Sequence, residues 1–222
     1  MITIVGAGPA GSYLAYLLAN KGEKVTILEE HETIGQPVQC TGIVTHSIEN
    51  FFKLKNDIIA KKLDKVVVVS KNKKIAVNTD ELVMWRNKFD QFVAEMSQDA
   101  GAKILLNNKF IGFDGKNTII VKDKKNNKTK KIKTDVVVGA DGPYSAVAKA
   151  AGINLNSKNY IGMQAKVKLK MDTTSFETYF GNDFPNFFGW CVPESEDVAR
   201  LGIGCFENAQ GHFYKFLKSR TG

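Results

Sequence analysis

Met1-Ile2-Thr3-Ile4-Val5-Gly6-Ala7-Gly8-Pro9-Ala10-Gly11 is the stretch that decides the fold of this 222-residue chain. A strand pattern from Ile2 to Val5 leads into glycines at the G-x-G-x-x-G spacing. A helical pattern then runs to about Asn20, and a second strand pattern covers Lys24 to Glu29. Strand, glycine turn, helix and strand in this order predict a βαβ unit that binds a dinucleotide.

The glycine turn is assigned residue by residue. Gly6 permits the tight turn, Gly8 lets the backbone approach a pyrophosphate, and Gly11 lets the helix pack against the strand. Pro9 and Ala10, between these glycines, are assigned to the same cofactor site. The pyrophosphate is expected over the N-terminus of the helix.

Glu29 ends the second strand, eighteen residues after Gly11. A carboxylate there accepts hydrogen bonds from ribose hydroxyls and repels a 2′-phosphate. Glu30, its neighbour, is assigned to the same site. The sequence therefore predicts a dinucleotide whose adenosine ribose is unphosphorylated.

The chain carries 31 Lys+Arg against 23 Asp+Glu, a net charge of +8 that favours anionic partners. Seven of the lysines lie between residues 122 and 133, around Asn126-Asn127, a pair suited to a hairpin turn. No aromatic residue alternates with these lysines, as a nucleic-acid surface would need. A solvated hairpin is favoured, and no nucleic-acid binding is expected.

Three cysteines, an odd number, and the absence of room for a signal peptide before Gly6 favour free thiols in a cytoplasmic protein. No apolar run approaches the ~20 residues of a membrane-spanning helix, so membrane contact would be peripheral, on the inner face of the cell membrane. The three histidines show no metal-ligand spacing, and no metal site is predicted.

The pattern changes near residue 152 from mixed α/β to alternating, aromatic-rich strands. The predicted fold class is α/β, with a Rossmann-like cofactor-binding domain at 1–152 and the start of a second, β-rich (α+β) substrate domain at 153–222 that is incomplete. Hairpins at about 64–79 and 108–134 are expected as insertions in the first domain.

Two helices and one strand are predicted in more detail. The first helix should bury an apolar face formed by Tyr13, Leu14, Leu17 and Leu18. A second helix should carry Phe89 and end at Gly101. Asp135–Val138 should form a strand that is buried on both faces.

Two segments resemble signatures of para-hydroxybenzoate hydroxylase-like flavoproteins. Val137 to Ser145 resembles the second FAD signature of that group, and the resemblance implies that Asp141 and Gly142 contact the flavin side of the cofactor. Arg86 resembles an arginine that lies near the FAD phosphates. The resemblance favours FAD over NAD, while for Asp141 taken alone a helix cap or a turn is the alternative.

Two further segments resemble the geranylgeranyl reductase family. The loop Ile34 to Val44 is similar to that family's Pro-x-x-Cys-x-Gly loop, which implies that Cys40 and Gly42 lie near the flavin and that Cys40 is a candidate proton donor. Phe188 to Pro193 is similar to the Tyr-x-Trp-x-Phe-Pro substrate motif, which implies that Phe188, Trp190 and Pro193 contact the substrate. Phe188 stands where the family has tyrosine.

The resemblance implies an FAD-dependent oxidoreductase acting on CH-CH groups, which reduces the C=C bonds of geranylgeranyl chains in archaeal-type ether lipids. Its partners would be a prenylated lipid and an external electron donor: a nicotinamide, a ferredoxin or a reduced deazaflavin. The family's third flavin motif, Gly-Asp-Ala, is absent, so the chain is interpreted as truncated at its C-terminal side.

Two alternatives remain open. An aromatic monooxygenase or halogenase of the same fold commonly carries an arginine soon after the ribose-binding acid, where this chain has Glu29-Glu30-His31, and generally lacks the cysteine loop. A truncated, inactive dinucleotide-binding fragment is the other alternative.

Overall fold

The protein is described from a computed structural model, which covers residues 1–71, 73–154 and 158–222. The strands, in chain order, are β1 (Ile2–Val5), β2 (Val25–Leu28), β3 (Ile43–Thr45), β4 (Ile59–Ser70), β5 (Lys73–Met84), β6 (Lys103–Leu105), β7 (Asn108–Phe113), β8 (Thr118–Asp123), β9 (Lys128–Lys133), β10 (Val136–Gly139), β11 (Ile161–Lys168), β12 (Ser175–Phe180), β13 (Gly189–Pro193) and β14 (Val198–Cys205). The helices are α1 (Pro9–Ala19), α2 (Arg86–Asp99), α3 (Ala146–Ala150) and α4 (Ala209–Thr221), with short 3₁₀ helices at His46–Asn50 and Asn56–Ile58.

The chain forms two compact units that interleave along the sequence. The first unit consists of Met1–Gln39 and Arg86–Asn156, and the second of Cys40–Trp85 and Ser157–Gly222. The β4–β5 hairpin, expected as an insertion at about 64–79 of the first domain, is formed but belongs to the second unit. The physical reason is that β4 pairs in parallel with β12, which ties the hairpin to the later strands.

The first unit is built on a four-stranded parallel sheet in the order β10, β1, β2, β6. Successive side chains of a strand point to opposite faces. Ile4 and Ile27 accordingly pack on one face with Ala15 of α1, whereas Val5 and Leu28 pack on the other. This arrangement confirms the predicted Rossmann-like class.

Helix α1 contacts the sheet through small residues. The buried residues of α1 are Gly11, Ser12, Ala15 and Ala19. The predicted apolar face is wrong at its centre: Leu17 is 42% exposed, and Leu14 and Leu18 are only partly buried. Small side chains let the helix backbone approach the sheet closely, which turns the larger residues outward.

Strand β10 lies at an edge of the parallel sheet and is not buried on both faces as predicted. Val136 is 50% exposed. Among the described strands only β1 pairs with β10. An edge strand has a neighbour on one side only, so surrounding elements cover it less fully than a central strand.

A three-stranded antiparallel sheet, β7-β8-β9, completes the first unit. Phe110, Ile119 and Val121 of this sheet pack against the parallel sheet. The turn at Asn126-Asn127 joins β8 to β9, with Asn127 in the left-handed region at φ 52°. The hairpin predicted for the lysine-rich segment is therefore confirmed.

The second unit is built on a seven-stranded mixed sheet in the order β11, β14, β13, β12, β4, β5, β3. Phe216 of α4 packs on one face of this sheet with Tyr179, Cys191 and Leu201. The β-rich character predicted after residue 152 is confirmed by β11 to β14. None of the helices described combines the length and apolar character needed to cross a membrane.

Candidate functional site

Two glycines of the turn after β1 are packed too closely to carry a side chain. A Cβ on Gly6, whose φ is +104°, would lie 2.4 Å from the carbonyl oxygen of Ala140. A Cβ on Gly11 would lie 2.1 Å from the carbonyl oxygen of Gly6. Both positions require glycine, as the G-x-G-x-x-G spacing predicts.

Gly8 differs because its side-chain position faces open space. A Cβ there would meet nothing within 4 Å. Gly8 is the N-cap of α1, and Pro9 follows in the first turn. The first-turn amides of a helix have no partner within the helix and carry the positive end of its dipole. The space at Gly8 and the N-terminus of α1 therefore suit a pyrophosphate, and the turn fits a dinucleotide such as FAD.

The carboxylate of Glu29 is held against the glycine turn. Oε2 accepts a hydrogen bond from the amide of Ala7 at 2.9 Å. Oε1 accepts one from the amide of His31 at 2.9 Å and lies 2.6 Å from Nδ1 of the same histidine. A contact of this carboxylate with the adenosine ribose remains a prediction, and the contact with His31 is one that the sequence did not predict.

Glu30 makes contacts with the three-stranded sheet. Its Oε2 lies 2.9 Å from Nζ of Lys109 and 4.0 Å from Nζ of Lys124. The hydrogen bond from Lys109 holds the pKa of Glu30 below its usual value, although burial acts in the opposite direction. A contact of Glu30 with the cofactor remains a prediction.

The turn after β10 lies next to the glycine turn. The amide of Ala140 donates a hydrogen bond to the carbonyl oxygen of Val5 at 2.8 Å. The amide nitrogen of Asp141 would lie 3.1 Å from a Cβ on Gly6. Gly142 adopts a left-handed φ of 79°. The structure therefore brings two of the predicted cofactor signatures together in one unit.

The side chain of Asp141 caps helix α3. Its carboxylate accepts hydrogen bonds from the hydroxyl of Ser145 at 2.5 Å and from the amides of Ala146 and Val147 at 2.7 and 3.2 Å. Asp141 thus binds the first turn of α3, whose N-cap residue is Ser145, and this agrees with the structural role that was the alternative for Asp141. Its contact with the ribityl chain of a flavin remains a prediction.

Arg86, at the start of α2, forms an ion pair within that helix. Its Nε and Nη2 donate to the two carboxylate oxygens of Asp90 at 2.9 and 3.1 Å. Burial raises the pKa of Asp90 above its usual value, against the effect of the hydrogen bonds from Arg86. A contact of Arg86 with the FAD phosphates remains a prediction.

Cys40 belongs to the second unit, on an exposed loop before β3. The hydroxyl of Thr41, the next residue, donates a hydrogen bond to Oε1 of Gln164 at 2.6 Å. Gly42 is buried with φ +88°, and its carbonyl oxygen accepts a hydrogen bond from the amide of Met84 at 2.8 Å. The thiol is accessible, while the backbone that follows it is held in place.

Arg200, on β14, binds the same loop from the sheet. Its Nη1 donates to the carbonyl oxygens of Thr41 and, at 3.3 Å, of Met84, and its Nε donates to Oε2 of Glu194 at 2.7 Å. The guanidinium lies 5.0 Å from the ring centroid of Trp85, a cation–π distance. Arg200 is 4% exposed, so each of these contacts is shielded from water.

Glu194 is shared between two cations. Besides Arg200, it binds Nζ of Lys166, whose distance to Oε1 is 2.6 Å. Burial works against the ionisation of Glu194, but the hydrogen bonds from Lys166 and Arg200 outweigh it and lower the pKa from its usual 4.5. The carboxylate is therefore a stable counter-ion for the buried arginine.

The three predicted substrate residues lie in β13 or directly before it. Phe188 is half-buried, stacks on Phe187 with ring centroids 4.2 Å apart, and meets Trp190 edge to face at 6.1 Å. Pro193 is buried and pairs with Ala199 of β14. Phe188 and Trp190 thus form an aromatic surface, whereas Pro193 is buried.

Trp190 connects this surface to the cysteine loop. A Cβ on Gly202 would lie 2.4 Å from the indole ring, so glycine is needed beneath it. The indole Nε1 donates to Oε1 of Gln164 at 2.9 Å, and the same oxygen accepts the hydrogen bond from Thr41. The second unit therefore brings the loop of Cys40 together with the predicted substrate strand.

Gln164 and Arg200 are not predicted by the sequence analysis. For Gln164, an ordinary polar residue on an alternating strand, the sequence carries no signal. For Arg200 there is one, because a charged residue interrupts the apolar run of β14 and must have buried partners.

Comparison with known proteins identifies related chains. Residues 1–210 match the family model described as FAD binding domain. The chain is 32% identical to the digeranylgeranylglycerophospholipid reductase of Methanococcus aeolicus, a match that covers 93% of this chain and 55% of the relative. It is also 32% identical to the protein of the same name from Methanocaldococcus jannaschii, with 91% and 54% covered. The chain thus spans about half the length of the curated relatives it matches.

Solved structures share the fold. A geranylgeranyl bacteriochlorophyll reductase-like protein from Thermoplasma acidophilum aligns with a TM-score of 0.88 at 24% identity, covering 98% of this chain and 60% of that one. The myxobacterial FAD-dependent halogenase CndH aligns with a TM-score of 0.74 at 15% identity, covering 98% and 56%. At these identities the likeness shows the fold alone. The glycine turn, the parallel sheet and the match over residues 1–210 agree: the chain belongs to the FAD binding domain family.

Proposed function

We propose that this protein is an FAD-dependent reductase of the C=C bonds in geranylgeranyl chains of archaeal-type ether lipids. The relatives from Methanococcus aeolicus and Methanocaldococcus jannaschii, which carry the name digeranylgeranylglycerophospholipid reductase, support this proposal, because they match 93% and 91% of the chain. The shared fold alone does not distinguish a reductase from a halogenase, since solved structures of both kinds align with it.

The observation that carries the proposal is the connection made by Gln164. Its Oε1 accepts hydrogen bonds from Thr41, next to Cys40, and from the indole of Trp190. In this proposal the accessible thiol next to Thr41 is the proton donor, and the aromatic surface of Trp190 binds the prenyl chain. Both lie in the second unit.

The first unit supplies the residues proposed to hold FAD. Gly8 and the N-terminus of α1 would receive the pyrophosphate, and Glu29 the adenosine ribose. Arg86 is proposed for the phosphates and the Asp141-Gly142 turn for the flavin side. The support is the open space at Gly8 and the position of Glu29 against the same turn.

Reduction of an isolated alkene needs a hydride on one carbon and a proton on the other. Bound FAD, when reduced, supplies the hydride. Cys40 is the residue of this chain proposed to deliver the proton, because a thiol can act as a general acid and this one is accessible. Cys191 and Cys205 are unsuited to that role, since both are fully buried.

Phe188 and Trp190 are proposed to contact the prenyl chain. Their rings form a continuous aromatic surface with Phe187, which is 40% exposed. An apolar chain gains free energy when it covers such rings and releases their hydration water. These residues would hold and orient the chain while water is excluded.

The electrons and the lipid must come from outside the chain. An external donor, a nicotinamide, a ferredoxin or a reduced deazaflavin, is proposed because bound FAD must be reduced again after each double bond is reduced. A peripheral contact with the inner face of the cell membrane is proposed because the substrate is a membrane lipid and the net charge of +8 favours an anionic surface.

The experiment that tests this function is product analysis. The purified protein with FAD is reduced under anaerobic conditions and incubated with a digeranylgeranyl phospholipid, and the lipid is examined by mass spectrometry. We expect a gain of two hydrogen atoms for each double bond reduced, and no change in a phytanyl lipid, the saturated control. Unchanged prenyl lipid together with halogenation or hydroxylation of an aromatic compound in oxygen would contradict the proposal.

A further inference from the structure

Burying the charged side chain of Arg200 costs free energy. Arg200 is 4% exposed on a strand of otherwise apolar and small residues. A buried charge must have partners for its donors, and replacing a buried ion pair by apolar residues is often neutral for stability. Stability alone therefore does not account for the arginine, and its partners are the better guide to its role.

Those partners include the backbone of the cysteine loop. Besides the ion pair with Glu194, Nη1 of Arg200 donates to the carbonyl oxygen of Thr41, 159 residues away in the sequence, and to that of Met84. Arg200 therefore ties the residue after Cys40 to β14, the strand next to the edge strand β11.

Thr41 is held through its side chain as well. Its hydroxyl donates to Oε1 of Gln164 at 2.6 Å, and the indole of Trp190 donates to the same oxygen at 2.9 Å. Consecutive Cα atoms are about 3.8 Å apart. Holding the carbonyl and the hydroxyl of Thr41 therefore fixes one side of the backbone that carries the Cys40 thiol.

We propose that Gln164 and Arg200 are positioning residues, which act through Thr41 to set the place of Cys40 relative to Trp190. Neither side chain needs to touch the substrate for this role. The inference rests on the proposed function only in giving Cys40 a task, since the hold on Thr41 is a property of the second unit itself.

The hold on Thr41 can be tested without FAD or turnover. Cys191 and Cys205 are fully buried, so a nitroxide reagent should label Cys40 alone in the folded chain. The label's mobility is read from its electron paramagnetic resonance spectrum in the variants Thr41→Val, Gln164→Leu and Arg200→Lys. Thr45→Val is the matched control, because the hydroxyl of Thr45 contacts Ser47 and neither positioning residue.

We expect faster label motion in the three variants, unchanged motion in the Thr45→Val control, and a return to wild-type motion in Thr41→Ser, which restores the hydroxyl. Thr41→Val keeps the shape of the side chain, so the result does not depend on whether Arg200→Lys folds. Label motion equal to the control in both Thr41→Val and Gln164→Leu would overturn the inference.

Turnover of the unlabelled variants separates the inference from the proposed function. If Cys40 delivers the proton, the kcat of these variants should fall by about tenfold to a hundredfold, with KM for the lipid nearly unchanged. This is the result expected for a misplaced catalytic group. Faster label motion with full turnover would uphold the hold on Thr41 and remove Cys40 from the reaction.

Discussion

Alanine substitutions separate the two kinds of glycine in the turn after β1. Gly11→Ala should destabilise the fold by about 1–3 kcal/mol or more, because the new methyl group meets the carbonyl oxygen of Gly6. Gly8→Ala should fold normally and lose FAD affinity by at least about tenfold, because the methyl group occupies the space left for the pyrophosphate. Thermal unfolding and FAD titration measure the two effects. Equal FAD affinity in Gly8→Ala and the wild type would contradict this assignment.

Cys40 offers a second test at the level of one residue. Cys40→Ala should leave the free energy of unfolding within about 0.5 kcal/mol, because the residue is exposed. It should lower turnover by about a hundredfold or more if the thiol delivers the proton. Steady-state kinetics, with bound flavin checked by absorbance, measure this, and unchanged turnover with FAD bound would remove Cys40 from the mechanism.

Residues whose role is local can be predicted from the sequence, whereas residues whose role depends on distant partners cannot. Gly6 and Gly11 follow from spacing, because the turn they form lies within one segment. Gln164 and Thr41 are 123 residues apart. Their hydrogen bond depends on the register of the seven-stranded sheet, which no local pattern specifies.

For the β13–β14 pair we predict that the stability contributed by Glu194 depends on pH. The folded pKa of Glu194 lies below its usual 4.5. Its contribution to stability is therefore complete above that value and is lost as the pH falls through the lowered pKa. Glu194→Gln should unfold at a lower temperature than the wild type at neutral pH, and the difference should shrink on acidification. A difference that stays constant with pH would show that the carboxylate charge does not stabilise this cluster.

For the lysine-rich strand β9 we predict binding to anionic membranes. Lys128, Lys130 and Lys133 are exposed, and each lysine near an anionic bilayer contributes roughly 1 kcal/mol. The triple change to glutamine should therefore weaken binding to phosphatidylglycerol vesicles by about a hundredfold. Co-sedimentation at low and high salt measures this binding.

A matched set of lysines in the second unit provides the control. The variant carries glutamine at three exposed positions of β4 and β5: Lys62, Lys65 and Lys73. It has the same net charge as the β9 variant. Equal loss of vesicle binding in both variants would show a general effect of charge and would contradict docking through β9.

The sequence predicts whether a segment forms a helix or a strand better than it predicts what that segment packs against. The hairpin expected at about 64–79 is formed by β4 and β5, but its place in the second unit depends on parallel pairing of β4 with β12. The apolar run of β10 correctly indicates a strand, but its exposure depends on which sheet edge it occupies. In α1 the buried face consists of small residues, and a search for regularly spaced large apolar residues does not find such a face.

The residues predicted for the cofactor and those predicted for the substrate belong mainly to different units. The glycine turn, Glu29 and the Asp141-Gly142 turn lie in the first unit, and Cys40 and Trp190 lie in the second. The chain passes from one unit to the other at Cys40 and returns after Trp85. The loop that carries the proposed proton donor therefore begins at a crossing between the units.

One measurement tests the reductase assignment most directly: the visible absorbance of the purified protein with FAD, reduced under anaerobic conditions and then mixed with a digeranylgeranyl phospholipid. The assignment predicts that the bleached flavin band returns on addition of this lipid and stays bleached with its phytanyl counterpart. A flavin that is bound and reduced, yet stays bleached after addition of the unsaturated lipid, would contradict it.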